Sequence, residues 1–230
     1  MTPEDLAAAM EATWPPAASW VRGPWRLRDG AGGGKRVSAA TAEGEWCQAD
    51  IALAEAAMPA PLFTIRPQDS ALDAALAGRG YRMVDPVVIF AAPTNAFAPA
   101  PHMAAFAHWP PLTIAADLWA EAGIGPARLA VMHRVQGPKT VLLGRSADRP
   151  AGVAFVALHG TTAMLHALEV SPACRRQGCA QNMLRAAADW ASLQGADTLA
   201  LAVTEANTGA RALYASQGMR GVGQYHYRQK

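Results

Sequence analysis

The sequence is poor in the features that mark several common classes of protein. It holds three cysteines, Cys47, Cys174 and Cys179, and none of them stands in a CxxC spacing. An odd count without that spacing argues against a disulfide framework and a zinc site, and favours a reducing compartment. No apolar run reaches the roughly 18 residues that a membrane span requires. The acidic start MTPEDLAAAMEATW lacks the basic region of a secretory signal. We therefore expect a soluble cytoplasmic protein without a metal site.

Charge is scarce and unevenly distributed along the chain. Charged residues make up 17% of the composition, and the formal net charge is +2. Residues 1–95 carry 8 Lys and Arg against 11 Asp and Glu, a balance of −3, whereas residues 113–230 carry 12 against 7, a balance of +5. The second part is therefore better suited to an anionic ligand. The sequence has no dense basic run with interleaved aromatic residues, so nucleic-acid binding has little support.

An uncharged, proline-rich stretch at residues 92–112 divides the chain. It contains no Asp, Glu, Lys or Arg, and it has five prolines. Because proline breaks helices and cannot donate to a β-ladder, we expect an extended linker. Its main part, residues 96–112, separates an N-terminal unit at 1–95 from a C-terminal domain at 113–230. Hydrophobic residues form 51% of the sequence, which is enough for a packed globular core.

The C-terminal domain has a regular order of elements. Three β-rich runs, at residues 139–145, 151–158 and 161–170, are joined by short turns and predict an antiparallel meander. Residues 179–194 then place apolar side chains at helical spacing, and Gly195 follows as a helix stop. A buried strand at 198–204, a short helix capped by Asn207 or Thr208, and a closing strand at 221–229 complete the order. This mixture predicts an α+β fold with a mostly antiparallel sheet flanked by helices.

A partial repeat links the two parts of the chain. An offset of 138 residues aligns a strand, a capped helix, a glycine turn and a second strand in the same order. The aligned pairs are Phe63 with Leu201, Asp69 with Asn207, Leu76 with Tyr214, and Gly80 with Gly218. The alternative is that any strand–helix–strand unit looks similar once aligned on its glycine. We interpret the pattern as the duplication of one supersecondary unit.

The turn between the third strand and the long helix has a composition suited to phosphate. It reads SPACRRQGCA, with two arginines before a glycine and a small residue. A helix N-terminus presents N–H groups without internal partners at the positive end of its dipole, and anions bind there. The arginines add charge and donors suited to phosphate. By contrast, GAGGGKR at 30–36 has no helix after it, and we interpret it as a flexible loop and not as a P-loop.

These residues resemble the GCN5-related N-acetyltransferase (GNAT) family. The spacing Arg-x-x-Gly-x-Ala is similar to the family's pyrophosphate-binding motif, and LEVSP before it looks like the family's fourth strand and its exit. Asn207, Ala210, Leu213 and Tyr214 fall in the family's N-x-x-A-x-x-L-Y pattern. The resemblance covers residues 112–230. It implies a GNAT-like α/β sandwich and an acyltransferase that uses acetyl-CoA as cosubstrate.

The resemblance also implies roles for individual residues. The main chain from Leu168 to Val170 would pair with the acetyl and pantetheine arms, Asn207 would hydrogen-bond the pantetheine or an ordered water, and Tyr214 would protonate the departing thiolate. The pyrophosphate would lie on six residues of the turn: Arg175, Arg176, Gln177, Gly178, Cys179 and Ala180.

The general base remains open between His166 and Glu169 on the third strand, with Glu205 as a weaker third candidate. In a regular strand His166 and Glu169 face opposite sides. A bulge often interrupts this strand in the family, so the sequence does not decide which of them faces the substrate. His166 has a suitable intrinsic pKa.

The N-terminal unit lacks the features of a cofactor site. It has no Arg-x-x-Gly-x-Ala turn, Leu76 stands in place of the tyrosine, and Asp69 stands in place of the asparagine. An aspartate there would repel a phosphorylated cofactor. We therefore predict a smaller, degenerate GNAT-like copy that packs on the active domain.

Two functions are compatible with the sequence. The first is an acetyl-CoA-dependent N-acetyltransferase that acts on a primary amine by direct attack, with no covalent enzyme intermediate. The second is a catalytically silent regulatory or scaffolding module that binds acyl-CoA. The sequence does not identify the acceptor amine. A monomer is mildly favoured, because the duplication could substitute for a dimer partner.

Overall fold

The computed structural model describes residues 2–230, which contain both strands and helices. The strands are Ala18–Arg22 (β1), Trp25–Asp29 (β2), Thr41–Ala42 (β3), Leu62–Ile65 (β4), Arg82–Pro93 (β5), Ala105–His108 (β6), Lys139–Ser146 (β7), Arg149–His159 (β8), Thr162–Val170 (β9), Thr198–Thr204 (β10) and Arg220–Gln229 (β11). The helices are Pro3–Ala12 (α1), Gln48–Ala57 (α2), Ser70–Gly78 (α3), Thr113–Glu121 (α4), Pro126–Arg134 (α5), Cys179–Leu193 (α6) and Thr208–Ser216 (α7).

One large sheet organises the molecule. Its eight strands lie in the order β4-β11-β5-β10-β9-β8-β7-β6, and β1, β2 and β3 form a separate small sheet. In the large sheet β9 and β10 are parallel, and each other neighbouring pair is antiparallel. The predicted meander of three strands is β7-β8-β9. The prediction of a mostly antiparallel sheet flanked by helices is therefore confirmed.

Helices cover both faces of the sheet because side chains alternate along its strands. On β8, Ala154 and Val156 pack with α6 and α7, whereas Val153 and Phe155 pack with α4 and α5 on the other face. α1 joins α4 and α5 on that face, where Leu6 packs beside strand residues of β9 and β10. The apolar spacing predicted for the long helix is borne out, since Met183 and Leu184 are fully buried in α6.

The register of the sheet reproduces the 138-residue offset. β4 pairs with β11, and one of the pairs is Ile65 with His226. Adding 138 to the first number and subtracting 138 from the second gives Val203 with Val88, which is a pair between β10 and β5. All four β4–β11 pairs have such a counterpart. This relation arises when two copies of one unit are exchanged by a two-fold axis between β11 and β5, so the register supports a duplication.

Two local predictions differ from the structure. The segment predicted as a linker contains β6, which forms the sheet edge beside β7; an edge strand tolerates nearby prolines because only one of its sides is hydrogen-bonded. Lys35–Val37 is one turn of 3-10 helix. The N-terminal unit also shares a sheet with the C-terminal domain, since β5 lies between β10 and β11.

The glycine-rich stretch at residues 30–34, just before the 3-10 turn, is closely packed. This differs from the flexible loop that the sequence predicts. A Cβ on Gly30 would lie 2.3 Å from the Oγ of Ser38, and a Cβ on Gly33 would lie 2.5 Å from a methyl of Val131 in α5. Only glycine fits at such distances. The described residues contain no helix that is long and apolar enough to cross a membrane.

Candidate active site

A gap opens between β9 and β10 where their pairing stops. The parallel pairs run from Thr162–Thr198 to Leu165–Leu201, yet β9 continues to Val170 and β10 continues to Thr204. In the part of the chain that the structure describes, the β10-facing edge of residues 166–170 therefore has no strand partner. The predicted ligand-binding residues Leu168 and Val170 lie on this stretch. The Val170 carbonyl oxygen accepts from the Nε of Arg175 at 3.1 Å, and an extended ligand could take the remaining main-chain hydrogen bonds there.

A bulge in β9 settles which side chains share a face. His166 stands opposite Phe155 and Glu169 stands opposite Val153, so three steps on β9 match two steps on β8. Ala167 takes up the extra residue with a φ of +50°. The indole N–H of Trp119 in α4 donates to the carbonyl oxygen of Ala167 at 2.8 Å and holds the bulge. His166 and Glu169 consequently lie on the same face, the one that carries α1, α4 and α5.

His166 is enclosed and both of its ring nitrogens have partners. The Thr13 hydroxyl donates to the Ala9 carbonyl oxygen at 2.6 Å, so the Thr13 oxygen accepts from the Nε2–H of His166 at 2.9 Å. Its Nδ1 then accepts from Arg36 at 3.2 Å. Burial, together with the charge of Arg36, lowers the pKa of His166 well below its ordinary value. The ring is neutral, and its lone pair is not available to a substrate, which argues against a role as general base.

Glu169 has the opposite environment. It is partly exposed and lines a small cavity of about 50 Å³ beside the end of α4. Other residues lining this cavity are Leu118, Glu121, Ala122, Val170, Ser171, Pro172 and Arg175. Burial raises the pKa of the Glu169 carboxyl, and the positive charges of Arg175 and Arg128 partly offset the rise. A carboxylate with a raised pKa that faces a cavity is suited to accept a proton.

The third candidate base, Glu205, lies elsewhere. It is exposed and lines a different cavity, of about 320 Å³, together with Asp73, Tyr225 and His226. Glu169, by contrast, lines the small cavity next to the gap in the sheet. The two carboxylates therefore face different cavities.

The basic turn between β9 and α6 is open toward solvent. Arg175, Arg176, Gln177 and Gly178 are exposed, and α6 begins at Cys179 without a side-chain cap. Gly178 has a φ of +82°, and a Cβ built on it would have no neighbour within 4 Å. The N-terminus of this 15-residue helix therefore has no side-chain cap, and the exposed Arg175 and Arg176 precede it in the turn, with the Nε of Arg175 donating to the Val170 carbonyl oxygen at 3.1 Å. This arrangement fits a phosphate group.

Cys179 and Ala180 contribute main chain to this turn. The Cys179 side chain is buried, its Sγ lies 3.9 Å from the sulfur of Met183, and burial raises its pKa to about 11. The thiol is therefore protonated and acts as a core residue. Ala180 is partly buried in the first turn of the helix.

Tyr214 lies in α7, on the α6 side of the sheet, and Asn207 is the N-cap of that helix. The Tyr214 ring is buried against Phe90, with 5.9 Å between ring centroids. Burial and the nearby charge of Glu169 raise the pKa of Tyr214 to about 12, so its hydroxyl keeps its proton at neutral pH. The Asn207 side-chain oxygen accepts from the Ala210 N–H at 3.1 Å, which confirms the predicted cap. The Asn207 side chain is exposed, so its amide N–H groups are able to donate to a ligand.

The structure therefore brings most of the predicted residues to one place. Glu169 and the turn at 175–180 follow the last pair between β9 and β10, and Tyr214 lies near enough to Glu169 for that charge to help raise the pKa of the phenol. Sequence reasoning missed Trp119, Thr13 and Arg36, which hold the bulge and His166. No local pattern signals these contacts, since Thr13 and His166 are 153 residues apart and Arg36 and His166 are 130 apart.

Comparison with known proteins identifies relatives of this architecture. A model of the acetyltransferase (GNAT) family matches residues 103–219, a region that includes β6. A GCN5-related N-acetyltransferase from Kribbella flavida is similar in structure, with a TM-score of 0.72, 16% sequence identity, and coverage of 98% of this chain and 94% of that chain. A conserved protein of unknown function from Staphylococcus epidermidis has a TM-score of 0.72, 11% identity, and coverage of 100% and 97%.

A duplicated protein is also among the similar structures. A tandem GNAT protein from the clavulanic acid biosynthesis pathway has a TM-score of 0.62 and 15% identity, with 98% of this chain and 86% of that chain covered. At these identities the similarity concerns the fold. No curated protein sequence matches the chain.

Proposed function

We propose that this chain, which belongs to the acetyltransferase (GNAT) family and is an acyltransferase, transfers an acetyl group from acetyl-CoA to a primary amine by direct attack. The observation that carries the proposal is the convergence at the gap between β9 and β10. The uncapped N-terminus of α6 follows this stretch of β9, and Glu169 lies close enough to Tyr214 for its charge to help raise the pKa of the phenol.

The residues present fit acetyl-CoA. Arg175 to Ala180 would hold the pyrophosphate, because the uncapped N–H groups and the open space over Gly178 suit a diphosphate. The main chain of Leu168 and Val170 would pair with the pantetheine arm, and Asn207 would donate to it. The cosubstrate supplies an activated thioester when bound.

Glu169 is the general base in this proposal. It lies on the face that carries α4, beside a cavity, and burial raises the pKa of its carboxyl. It would accept the proton from the attacking nitrogen. Main-chain N–H groups at the open edge of β9 would donate to the oxygen that becomes negative during attack.

Tyr214 would act on the opposite side of the gap. Its hydroxyl retains its proton at neutral pH and would donate to the sulfur of the leaving group. Together the two residues move one proton from the amine and supply another to the thiolate, without a covalent enzyme intermediate.

The N-terminal unit is proposed to be a degenerate copy without a cofactor site. The turn before α2 carries Glu43 and Glu45 and has no arginine, and Asp50 lies in the first turn of α2. Asp50 already accepts from the Cys47 N–H at 2.8 Å. Asp69, at the position of Asn207, is bound by Arg66 at 2.8 Å. Carboxylates at these places would repel a diphosphate.

The test is a transfer assay over a panel of amines. Thiol release from acetyl-CoA is followed while mass spectrometry detects the acetylated amine, so that hydrolysis is separated from transfer. We expect amine-dependent thiol release and an acetylated product. Tight binding of acetyl-CoA with no product from any amine would contradict the proposal and would favour the silent acyl-CoA-binding module.

A further inference from the structure

Arg175 and Arg176 are neighbours in the basic turn, but their side chains are held differently. Arg175 has an extended backbone, with a φ of −68° and a ψ of 154°, and its Nε donates to the Val170 carbonyl oxygen at 3.1 Å. Arg176 has a left-handed backbone with a φ of +63°, and within residues 2–230 its side chain has no hydrogen-bond or ion-pair partner. Of the two guanidinium groups, that of Arg175 is therefore the one bound to the end of β9.

The hydrogen bond to Val170 places Arg175 beside the proposed general base. Arg175, Val170 and Glu169 line the same small cavity of about 50 Å³, and Arg176 is not among its lining residues. Burial raises the pKa of the Glu169 carboxyl, and the positive charge of Arg175 lowers it by more than that of Arg128 in α5 does. Arg175 is thus the neighbour that most favours the ionised form of this carboxylate.

Glu169 nevertheless has no direct partner. In the part of the chain that the structure describes, its carboxylate forms no ion pair and no hydrogen bond, although two guanidinium groups act on it. A close ion pair would occupy the carboxylate oxygens and would lower the pKa further, and both effects oppose the acceptance of a proton from an amine. The bond between Arg175 and Val170 keeps the positive charge near the carboxylate and directs the Nε–H to the main chain.

The other titratable groups around Glu169 come from three further places. Glu121 of α4 lines the same cavity. Tyr214 of α7 keeps its proton, because burial and the charge of Glu169 raise its pKa to about 12. His166, on the same face of β9, is neutral because burial lowers its pKa. None of these three groups carries a positive charge, so the arginine neighbours of Glu169, chiefly Arg175, stabilise its ionised form.

From these contacts we propose that the Arg175 side chain is a positioning residue for the acceptor side of the site, where it holds a positive charge beside Glu169 without pairing with it. The main chain of Arg175 remains part of the turn for the diphosphate, and Arg176 is the arginine whose side chain serves the cosubstrate. This inference rests on the proposed function. It divides two adjacent arginines of one turn between the two substrates.

The experiment compares Arg175→Gln with Arg176→Gln, a matched pair because both residues are exposed, adjacent and lose the same charge. Calorimetry gives the Kd for acetyl-CoA, and kcat/KM for the amine is measured against pH with acetyl-CoA saturating. Arg176→Gln should weaken acetyl-CoA binding by roughly 10-fold, the value of one charge-assisted hydrogen bond, and leave the pH profile in place. Arg175→Gln should move the acid limb of the profile to higher pH, because the ionised form of Glu169 loses a stabilising charge, and should change the Kd less than Arg176→Gln does.

Two further variants separate the charge of Arg175 from a purely structural role. Arg175→Lys keeps the positive charge and should return the acid limb toward its wild-type position. In the double variant Glu169→Gln/Arg175→Gln the carboxylate is absent, so the second substitution should cause no further shift of the limb. Both readouts concern the position of the pH profile, which a general loss of folded protein does not move.

The outcomes also distinguish this inference from the proposed function. Equal loss of acetyl-CoA binding in Arg175→Gln and Arg176→Gln, with the acid limb in place, would mean that both side chains serve the diphosphate; it would overturn the inference and leave the acetyltransferase proposal standing. A lower rate at every pH in Arg175→Gln without a shift of the limb would also overturn it, because a structural role has that signature. Transfer by the wild-type protein to no amine at all would overturn the proposed function and this inference with it.

Discussion

At the scale of single residues, the surroundings of His166 and Glu169 decide which of the two side chains is suited to accept a proton. Both lie on the same face of β9, but His166 is buried between Thr13 and Arg36, whereas Glu169 borders a cavity. By intrinsic pKa alone the histidine is the better base. The contacts reverse that order, because the imidazole has no free nitrogen and the carboxylate has a raised pKa.

The role of Glu169 predicts a mutational and a pH effect. Glu169→Gln should lower kcat by about 10²- to 10⁴-fold, the usual contribution of a general base. In the wild-type protein the base must be ionised, so activity should fall as the pH drops through the raised pKa of Glu169, above the ordinary value of 4.5. A profile of kcat/KM against pH measures both effects. Glu121→Gln, in the same cavity, is the control, and an unchanged acid limb in Glu169→Gln would refute the assignment.

The role proposed for Tyr214 predicts that its substitution lowers the rate of the chemical step alone. Tyr214→Phe removes only the hydroxyl, so the ring should still pack on Phe90, while kcat drops by about 10²-fold. The Kd for acetyl-CoA should stay unchanged. Stopped-flow measurement of a single turnover tests this, and a wild-type rate in the variant would exclude the hydroxyl as the proton donor.

His166 predicts a pH-dependent stability. Its pKa is lowered in the folded protein, so the unfolded chain binds a proton first as the pH falls below about 6.5. The free energy of unfolding should then decrease by up to about 1.4 kcal/mol per pH unit. His166→Gln should remove this dependence. Urea unfolding at pH 7.5 and 5.5 measures this difference in unfolding free energy. The same difference in the wild-type protein and in His166→Gln would mean that His166 is not buried and neutral.

At the scale of elements, the bulge in β9 is the feature that directs Glu169 toward α4. Its extra residue, Ala167, has a positive φ, and its carbonyl oxygen accepts from the Trp119 indole. Local sequence reasoning located β7 to β11 and the basic turn well, because apolar period and turn residues are local signals. It could not fix the bulge, nor the contact of Arg36 with His166, because both depend on residues distant in sequence.

Trp119 therefore predicts a coupled loss of stability and activity. Trp119→Phe keeps most of the apolar volume but leaves the Ala167 carbonyl without its partner, which should cost about 1–3 kcal/mol of unfolding free energy and lower kcat. Trp109→Phe is the matched control, since Trp109 packs on Phe155 on the same face without that hydrogen bond. Equal effects of the two substitutions on kcat would contradict the role given to the bulge.

At the scale of the whole molecule, the two units share one sheet with a repeated register. The pairing of β4 with β11 mirrors the pairing of β10 with β5, so strands of each unit lie between those of the other. The two units differ in charge where a cofactor would bind, with carboxylates before α2 and arginines before α6. The account therefore predicts one acetyl-CoA site per chain.

Titration calorimetry of acetyl-CoA tests this central claim most directly, with the wild-type protein beside Gly178→Glu and Gly195→Glu. Both glycines have a left-handed φ and open space around an added Cβ, but Gly178 precedes α6 and Gly195 follows it, so the backbone strain is matched. We expect one site per chain in the wild-type protein, loss of binding in Gly178→Glu, and retained binding in Gly195→Glu. Two sites per chain, or equal binding by the two variants, would contradict the placement of the cofactor on the turn before α6.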